Sequence, residues 1–189
     1  GRIKKYVPMD IDVCIVSSGL YSEELDKLAQ DNDWSYLSVK QNKVTLVQNI
    51  AINLFPKAEY IYKLDEDMFI TKNFFETLFK TYKEVENNSF YNVGFVAPLI
   101  PINDYAYSRV IEKLGLVKNY EKKFGKIKCN WDPDSEVITN PEIATYLWGK
   151  SEEKLRNIDK IDEDFSKDKF SYSICPIRFS IGAILFSRK

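Results

Sequence analysis

Histidine is absent from the 189-residue chain. That excludes a Ser–His–Asp triad, a Cys–His pair, a His-ligated zinc centre and a histidine general base. Acid–base or metal chemistry must rest on carboxylates, lysine, tyrosine or cysteine. The cysteines number three, Cys14, Cys129 and Cys175, widely separated. An odd number at such spacings indicates neither a zinc motif nor a disulfide framework. Glycines number seven and are scattered, so there is no G-x-G-x-x-G and no P-loop to cradle phosphates. No apolar run approaches the length of a membrane span, and no signal-peptide pattern opens the chain. A reduced, cytoplasmic protein is the expectation. Charge of either sign is also not in excess. The formal net charge is −1, which gives no global field to attract nucleic acid.

What is present reads as a soluble domain with a real core: 44% hydrophobic and 29% charged residues. Strand and helix alternate through the first hundred residues. Ile11–Val16 predicts a buried strand closed by Ser17-Ser18-Gly19. Ser22, followed by Glu23 and Glu24, predicts a helix to about Asp31. Trp34–Val39 predicts a second strand. Asn42 is a candidate cap for a helix whose face is Val44, Val47, Ile50, Ala51 and Leu54, stopped by Pro56. Tyr60–Leu64 predicts a third strand. Asn73 with Glu76 has the form of a capping box ahead of the stripe Phe75, Leu78, Phe79, Tyr82 and Val85. Val93–Leu99 predicts a fourth strand.

Such alternation implies an α/β fold: a mainly parallel sheet with helices on both faces. Ligands then bind at the carboxyl ends of the strands. After residue 101 the alternation stops. Residues 105–117 predict a helix. Residues 118–128 hold five lysines against one glutamate, and residues 150–169 mix six positive with seven negative charges, the pattern of a solvated helix. Phe179–Phe186 returns to a strand-like run. The expected organisation is a core over residues 1–100, a long, mostly helical insertion over 101–175, and a returning strand over 176–189. The lysines of 118–128 read as a solvated face, with weak contact to anionic lipid or phosphate as the alternative.

The segment that carries chemistry is Tyr60-Ile-Tyr-Lys-Leu-Asp65-Glu66-Asp67-Met68-Phe69-Ile70. Three carboxylates interrupt an apolar run, and carboxylates cannot be buried unpaired. In extended backbone Asp65 and Asp67 project to the same side. Two carboxylates on one side suit a hard divalent cation shared with substrate phosphates. The D-x-D spacing occurs five times: Asp10/Asp12, Asp31/Asp33, Asp65/Asp67, Asp132/Asp134 and Asp162/Asp164. Only Asp65/Asp67 ends an apolar strand and precedes a capped helix. A solvated strand end is the bland alternative.

At this point the chain resembles glycosyltransferases of the GT-A fold, in the large inverting, nucleotide-sugar-dependent group called family 2. The matching pieces are Ile11–Gly19, Val39-Lys-Gln-Asn42, Val47-Gln48-Asn49, Tyr60–Asp67, Asn73-Phe-Phe-Glu-Thr-Leu78 and, at the far end, Arg178–Arg188. The resemblance implies a Rossmann-like α/β sandwich and a Mn²⁺ or Mg²⁺ cofactor. It implies Asp67 as metal ligand and Asp65 as nucleotide contact or part of the metal shell. Ser17 and Gln48 stand where the group has a base-reading acid and the arginine of an A-R-N triplet, and so become the candidate nucleotide contacts. The substrates implied are a nucleotide-diphosphate sugar and a saccharide or lipid-linked acceptor, with peripheral contact at the inner face of the membrane as a further expectation. The group's opening P-x-Y-N strand and its catalytic carboxylate after the acceptor strand have no counterpart here. The expectation is a single domain cut short at both ends, with Asp132, Asp134 and Glu136 as the available substitutes for a catalytic base. A sugar-nucleotide pyrophosphorylase, which shares sheet and metal, and a non-catalytic binding module are the alternative readings.

Overall fold

The computed structural model describes residues 1–88, 90, 92–103, 105–128, 135–148, 157–174 and 182–189. It is an α/β structure in two units, one of residues 1–61 with 186–189 and one of residues 62–185.

The first unit opens with a short helix, α1 (Arg2–Tyr6). Strand β1 (Cys14–Ser18), helix α2 (Glu23–Gln30), strand β2 (Ser35–Val39) and helix α3 (Val44–Leu54) follow. β1 and β2 pair in parallel, Cys14 opposite Ser35 and Ser18 opposite Val39. A parallel pair needs a crossover, and α2 supplies it. α2 starts where its cap predicts: Ser22 Oγ accepts the N–H of Leu25 at 3.3 Å, and Glu23, Glu24 and Asp26 face the positive end of the helix dipole. The chain leaves α2 through Asp33 at φ 56°, a left-handed conformation that aspartate tolerates. Ala29 and Val47, each 1% exposed, are the deepest side chains here. β1 begins three residues later than the apolar run from Ile11 predicts. The Ile11 N–H is already committed to a turn, donating to Pro8 O at 3.2 Å. Lys43, not Asn42, occupies the cap position of α3.

α3 ends at Phe55, before Pro56, and has no basic residue in its last turn. The cation comes from the far end of the chain. Arg188 Nη1 donates to Ile52 O at 2.7 Å and to Phe55 O at 3.1 Å, a second donor for carbonyls that already accept the N–H of Phe55 and of Ala58.

Strands β3 (Tyr60–Leu64) and β4 (Ala183–Ser187) make a second two-stranded sheet. Asp65 N–H donates to Gly182 O at 2.7 Å and Arg188 N–H to Glu59 O at 2.9 Å, so these strands run antiparallel. The expected strand over 93–99 reduces to one antiparallel bridge, Val96 with Leu185. Pro98 has no N–H to extend the ladder. Among the described residues the parallel ladder is therefore confined to β1 and β2, narrower than the mainly parallel sheet that the alternation predicts.

The second unit is otherwise helical. Helix α4 (Phe74–Asn88) buries Phe74, Phe75, Leu78 and Tyr82. Its capping box does not form as expected. The carboxylate of Asp162, from a later helix, accepts from both the backbone N–H and the side-chain amide of Asn73, at 3.3 and 2.9 Å. The helix expected over 105–117 is two helices, α5 (Ala106–Lys113) and α6 (Val117–Phe124). Gly115 at φ 70° divides them. Gly115 N–H returns to Glu112 O and Leu116 N–H to Ile111 O, the paired bonds of a glycine-terminated helix. Helices α7 (Glu136–Thr139), α8 (Pro141–Trp148) and α9 (Ile158–Phe165) complete the insertion. Its core is Tyr107, Ile111, Tyr120, Val137, Ile143 and Leu147, none more than 3% exposed. Trp131, residues 150–156 of the expected charged helix and residues 179–181 of the expected last strand lie outside the described residues. No described helix is long and apolar enough to cross a membrane.

Candidate functional site

The acidic segment begins where β3 stops. Tyr62 anchors the strand in the second unit: its hydroxyl donates to Phe75 O at 2.9 Å, and its ring meets Phe75 edge-on at 5.0 Å. Leu64 closes the strand, and the next four residues form a β-turn in which Met68 N–H donates to Asp65 O at 3.2 Å. Glu66 and Asp67 occupy the corners. The backbone is thus not extended between Asp65 and Asp67, and the alternation that would put them on one side does not apply. The two carboxylates share one tight turn instead.

The two differ in environment. Asp65 is held. Its N–H is taken by Gly182 O, and Lys63 Nζ lies 2.5 Å from its Oδ1, with the lysine side chain 17% exposed and the aspartate side chain 38%. Lys63 and Asp65 sit two residues apart, the spacing that puts strand side chains on one face. A Cβ at Gly182 would crowd Met68 Sδ at 3.0 Å and stand in ordinary contact with Asp65 Oδ2 at 3.6 Å. Asp67 is exposed and makes no hydrogen bond or ion pair among the described residues. Lys63 and Gly182 are the residues that the sequence reading passed over. A lysine inside Tyr-Ile-Tyr-Lys-Leu, on the face of Asp65, was the available signal for the first. The second needs the pairing with β4.

Ser17 and Gln48 belong to the first unit. Ser17 Oγ donates to Leu20 O at 2.7 Å, so the 2.8 Å contact with Tyr36 has the phenol as donor. The Tyr36 oxygen in turn accepts Ser22 N–H at 2.9 Å. This network fixes the loop after β1. Gly19 closes it at φ 87°, where a Cβ would come within 2.9 Å of Asn42 Cβ. Ser17 therefore has one lone pair left for a ligand, and Gln48 stands half-buried on α3. Asp65 and Asp67 share one turn of the second unit, and Ser17 and Gln48 belong to the first.

Of the candidate bases, Asp132 and Asp134 lie outside the described residues. Glu136 opens α7, exposed, with Lys128 Nζ 3.6 Å from its Oε1. It lines a cavity of about 160 Å³ with Tyr107, Tyr120, Lys126, Lys128, Ser135 and Val137. Tyr107 OH donates to Lys128 O at 2.7 Å and accepts its N–H at 3.0 Å. Burial, and then the nearby Glu136 charge, push the Tyr120 phenol above its ordinary value against the opposing hydrogen bond from Tyr107.

Chemically, the turn offers two hard oxygen donors. Among the described residues no group of three or more acidic or thiol ligands gathers at metal-holding distance. A small divalent cation is commonly held by one or two carboxylates with the balance from water and substrate phosphates, and the donor set Asp67 with Asp65 fits that arrangement. No family model, curated protein or solved structure matches the chain.

Proposed function

We propose that this chain is a nucleotide-sugar-dependent glycosyltransferase domain of GT-A type, transferring a sugar from a nucleoside-diphosphate donor to a saccharide or lipid-linked acceptor. One observation carries the reading: an acidic turn at the carboxyl end of β3, in an α/β chain, with one carboxylate held and the other free. Asp67 is the ligand for Mn²⁺ or Mg²⁺. When bound, the cation neutralises the diphosphate leaving group as the glycosidic bond breaks. Asp65, oriented by Lys63 and the Gly182 carbonyl, accepts a donor hydroxyl. An inverting transfer also needs a carboxylate to take the acceptor proton, and Glu136 is the described candidate.

The test is calorimetry of uridine and guanosine diphosphates with and without MnCl₂. Binding that requires the metal, and that weakens at least about tenfold in Asp67→Ala, is expected. Absence of metal-dependent binding by the parent chain, or an unchanged Asp67→Ala, overturns the reading.

A further inference from the structure

The basic stretch around α6 differs from the other charged surfaces of the second unit. On α9 the lysine is neutralised: Lys160 pairs with Asp164 at 2.8 Å and with Glu163 at 3.6 Å, and Lys167 reaches Asp164 at 3.4 Å. Lys113, on α5, meets Asp168 at 2.6 Å. Residues 118–128, in contrast, carry Lys118, Lys122, Lys123, Lys126 and Lys128 against the single acid Glu121. Among the described residues, Lys118, Lys122 and Lys126 have no acidic partner. Lys123 lies over the rings of Phe124 and Tyr146 at 4.9 and 5.7 Å, contacts that leave its charge uncancelled. Only Lys128 has an acid, Glu136 at 3.6 Å.

The helix under these charges is held firmly. Tyr120 is 3% exposed, and Val117 and Phe124 pack beside it against the helical core. The ring of Tyr120 meets those of Tyr107, Phe124 and Tyr146 at 5.7, 5.2 and 5.9 Å. Lys118 and Lys122, four residues apart, point away from that face. The apolar stripe of α6 is therefore spent on the core, and what it presents outward is a fixed array of ammonium groups.

We propose that this α6 surface adsorbs to an anionic lipid bilayer. The partner follows from charge complementarity. A local excess of four positive charges sits on a chain whose net charge is −1, so attraction requires a surface that meets the array while the rest of the molecule faces solvent. A planar sheet of anionic headgroups does this. A nucleic acid would gain from exposed rings for base stacking, and the aromatic residues of α6, Tyr120 and Phe124, are turned inward. With no apolar side chain to insert, the association is electrostatic and salt-sensitive.

The experiment is co-sedimentation of the whole chain with vesicles of phosphatidylcholine containing about one-third phosphatidylserine, and with pure phosphatidylcholine vesicles. Binding to the first and not the second, abolished by raising salt to about 0.5 M, is expected. Each lysine near an anionic surface contributes about fivefold in partition. Lys118→Gln/Lys122→Gln/Lys126→Gln should therefore weaken binding about a hundredfold. It spares Lys123 and the ring packing, so its circular dichroism should match the parent. Lys160→Gln/Lys167→Gln, on α9 and just after it, should leave binding unchanged. No binding to the anionic vesicles, equal binding to both compositions, equal loss in the two variants, or tighter binding to a DNA duplex at the same salt would each overturn the proposal.

Discussion

Arg188 makes a stability prediction that does not depend on any functional reading. Its guanidinium donates from one nitrogen to two carbonyls at the end of α3, at 2.7 and 3.1 Å, on a helix with no basic residue in its own last turn. Arg188→Met removes both bonds and the cation while keeping much of the stem. Hydrogen bonds from a charged donor are worth ~1.5–3 kcal/mol each in a sheltered setting, and a cation at a helix carboxyl end ~0.3–1 kcal/mol. Arg188 is exposed and both carbonyls keep a backbone donor, so water replaces most of what is lost and the net cost falls well below the sum of those sheltered values. The expected cost is about 1–2 kcal/mol in total. For a chain of 189 residues, one kcal/mol corresponds to a fall in Tm of about 2–4 °C. Urea unfolding followed by circular dichroism reads the stability, and amide exchange reads the place: the amides of the last turn of α3 should lose protection before those of β2. Arg188→Lys keeps the charge near the dipole and should recover about half of the loss. Arg188→Met within about 0.3 kcal/mol of the parent, with exchange in α3 unchanged, refutes the assignment.

Three further outcomes follow from the second unit. Leu147→Ala, in the helical core at 0% exposure, should cost about 2–5 kcal/mol by transfer and cavity terms, read as a shift in urea midpoint. Asp162→Ala strips two hydrogen bonds from Asn73 and should cost about 1–2 kcal/mol, while Asp164→Ala, whose carboxylate pairs only with exposed lysines, should change stability by less than about 0.5 kcal/mol. The Tyr120 phenol is raised by burial from 10.0, so the folded state holds its proton longer than the unfolded state. That contribution is complete below pH 10 and is lost as pH rises through the folded value. Tyr120→Phe should therefore lose less stability than the parent on alkaline titration, measured by urea midpoints at successive pH values.

Much of the first unit was legible because its signals are local. Ser22 with the following acids marks the start of α2, and Pro56 marks the end of α3. β1 was misplaced by three residues because a turn bond from Ile11 to Pro8, not apolar character, decides where pairing begins. In the second unit the alternation suggested a fourth strand where only the Val96–Leu185 bridge forms. The break at Gly115 was written in the sequence as a glycine inside a helical pattern, and the 3.6-residue periodicity of the flanking segments hid it. The capping of Asn73 by Asp162 joins residues 89 positions apart. No local rule anticipates it, since the nearer acid, Glu76, satisfies the same pattern.

The acidic turn shows how far spacing alone can go. Asp10 and Asp12 precede β1, at the end of a parallel strand opposite to where ligands bind. Asp31 pairs with Lys27 at 3.1 Å, and Asp33 adopts the left-handed conformation that ends α2. Asp162 and Asp164 are engaged with Asn73, Lys160 and Lys167. A carboxylate that already accepts from a backbone donor or an ammonium must give up that partner before it can bind a cation, whereas one that meets only water loses less. Asp67 is exposed and has no partner among the described residues, at the carboxyl end of a strand, beside an Asp65 that is held in place. The sequence could not rank the pairs in this way: the spacing of Lys63 and Asp65 was there to be read, but Gly182, just before β4, meets Asp65 only when the strands are paired. Lys63 already offsets the charge of Asp65, which leaves Asp67 as the carboxylate that the proposed function gives to the cation.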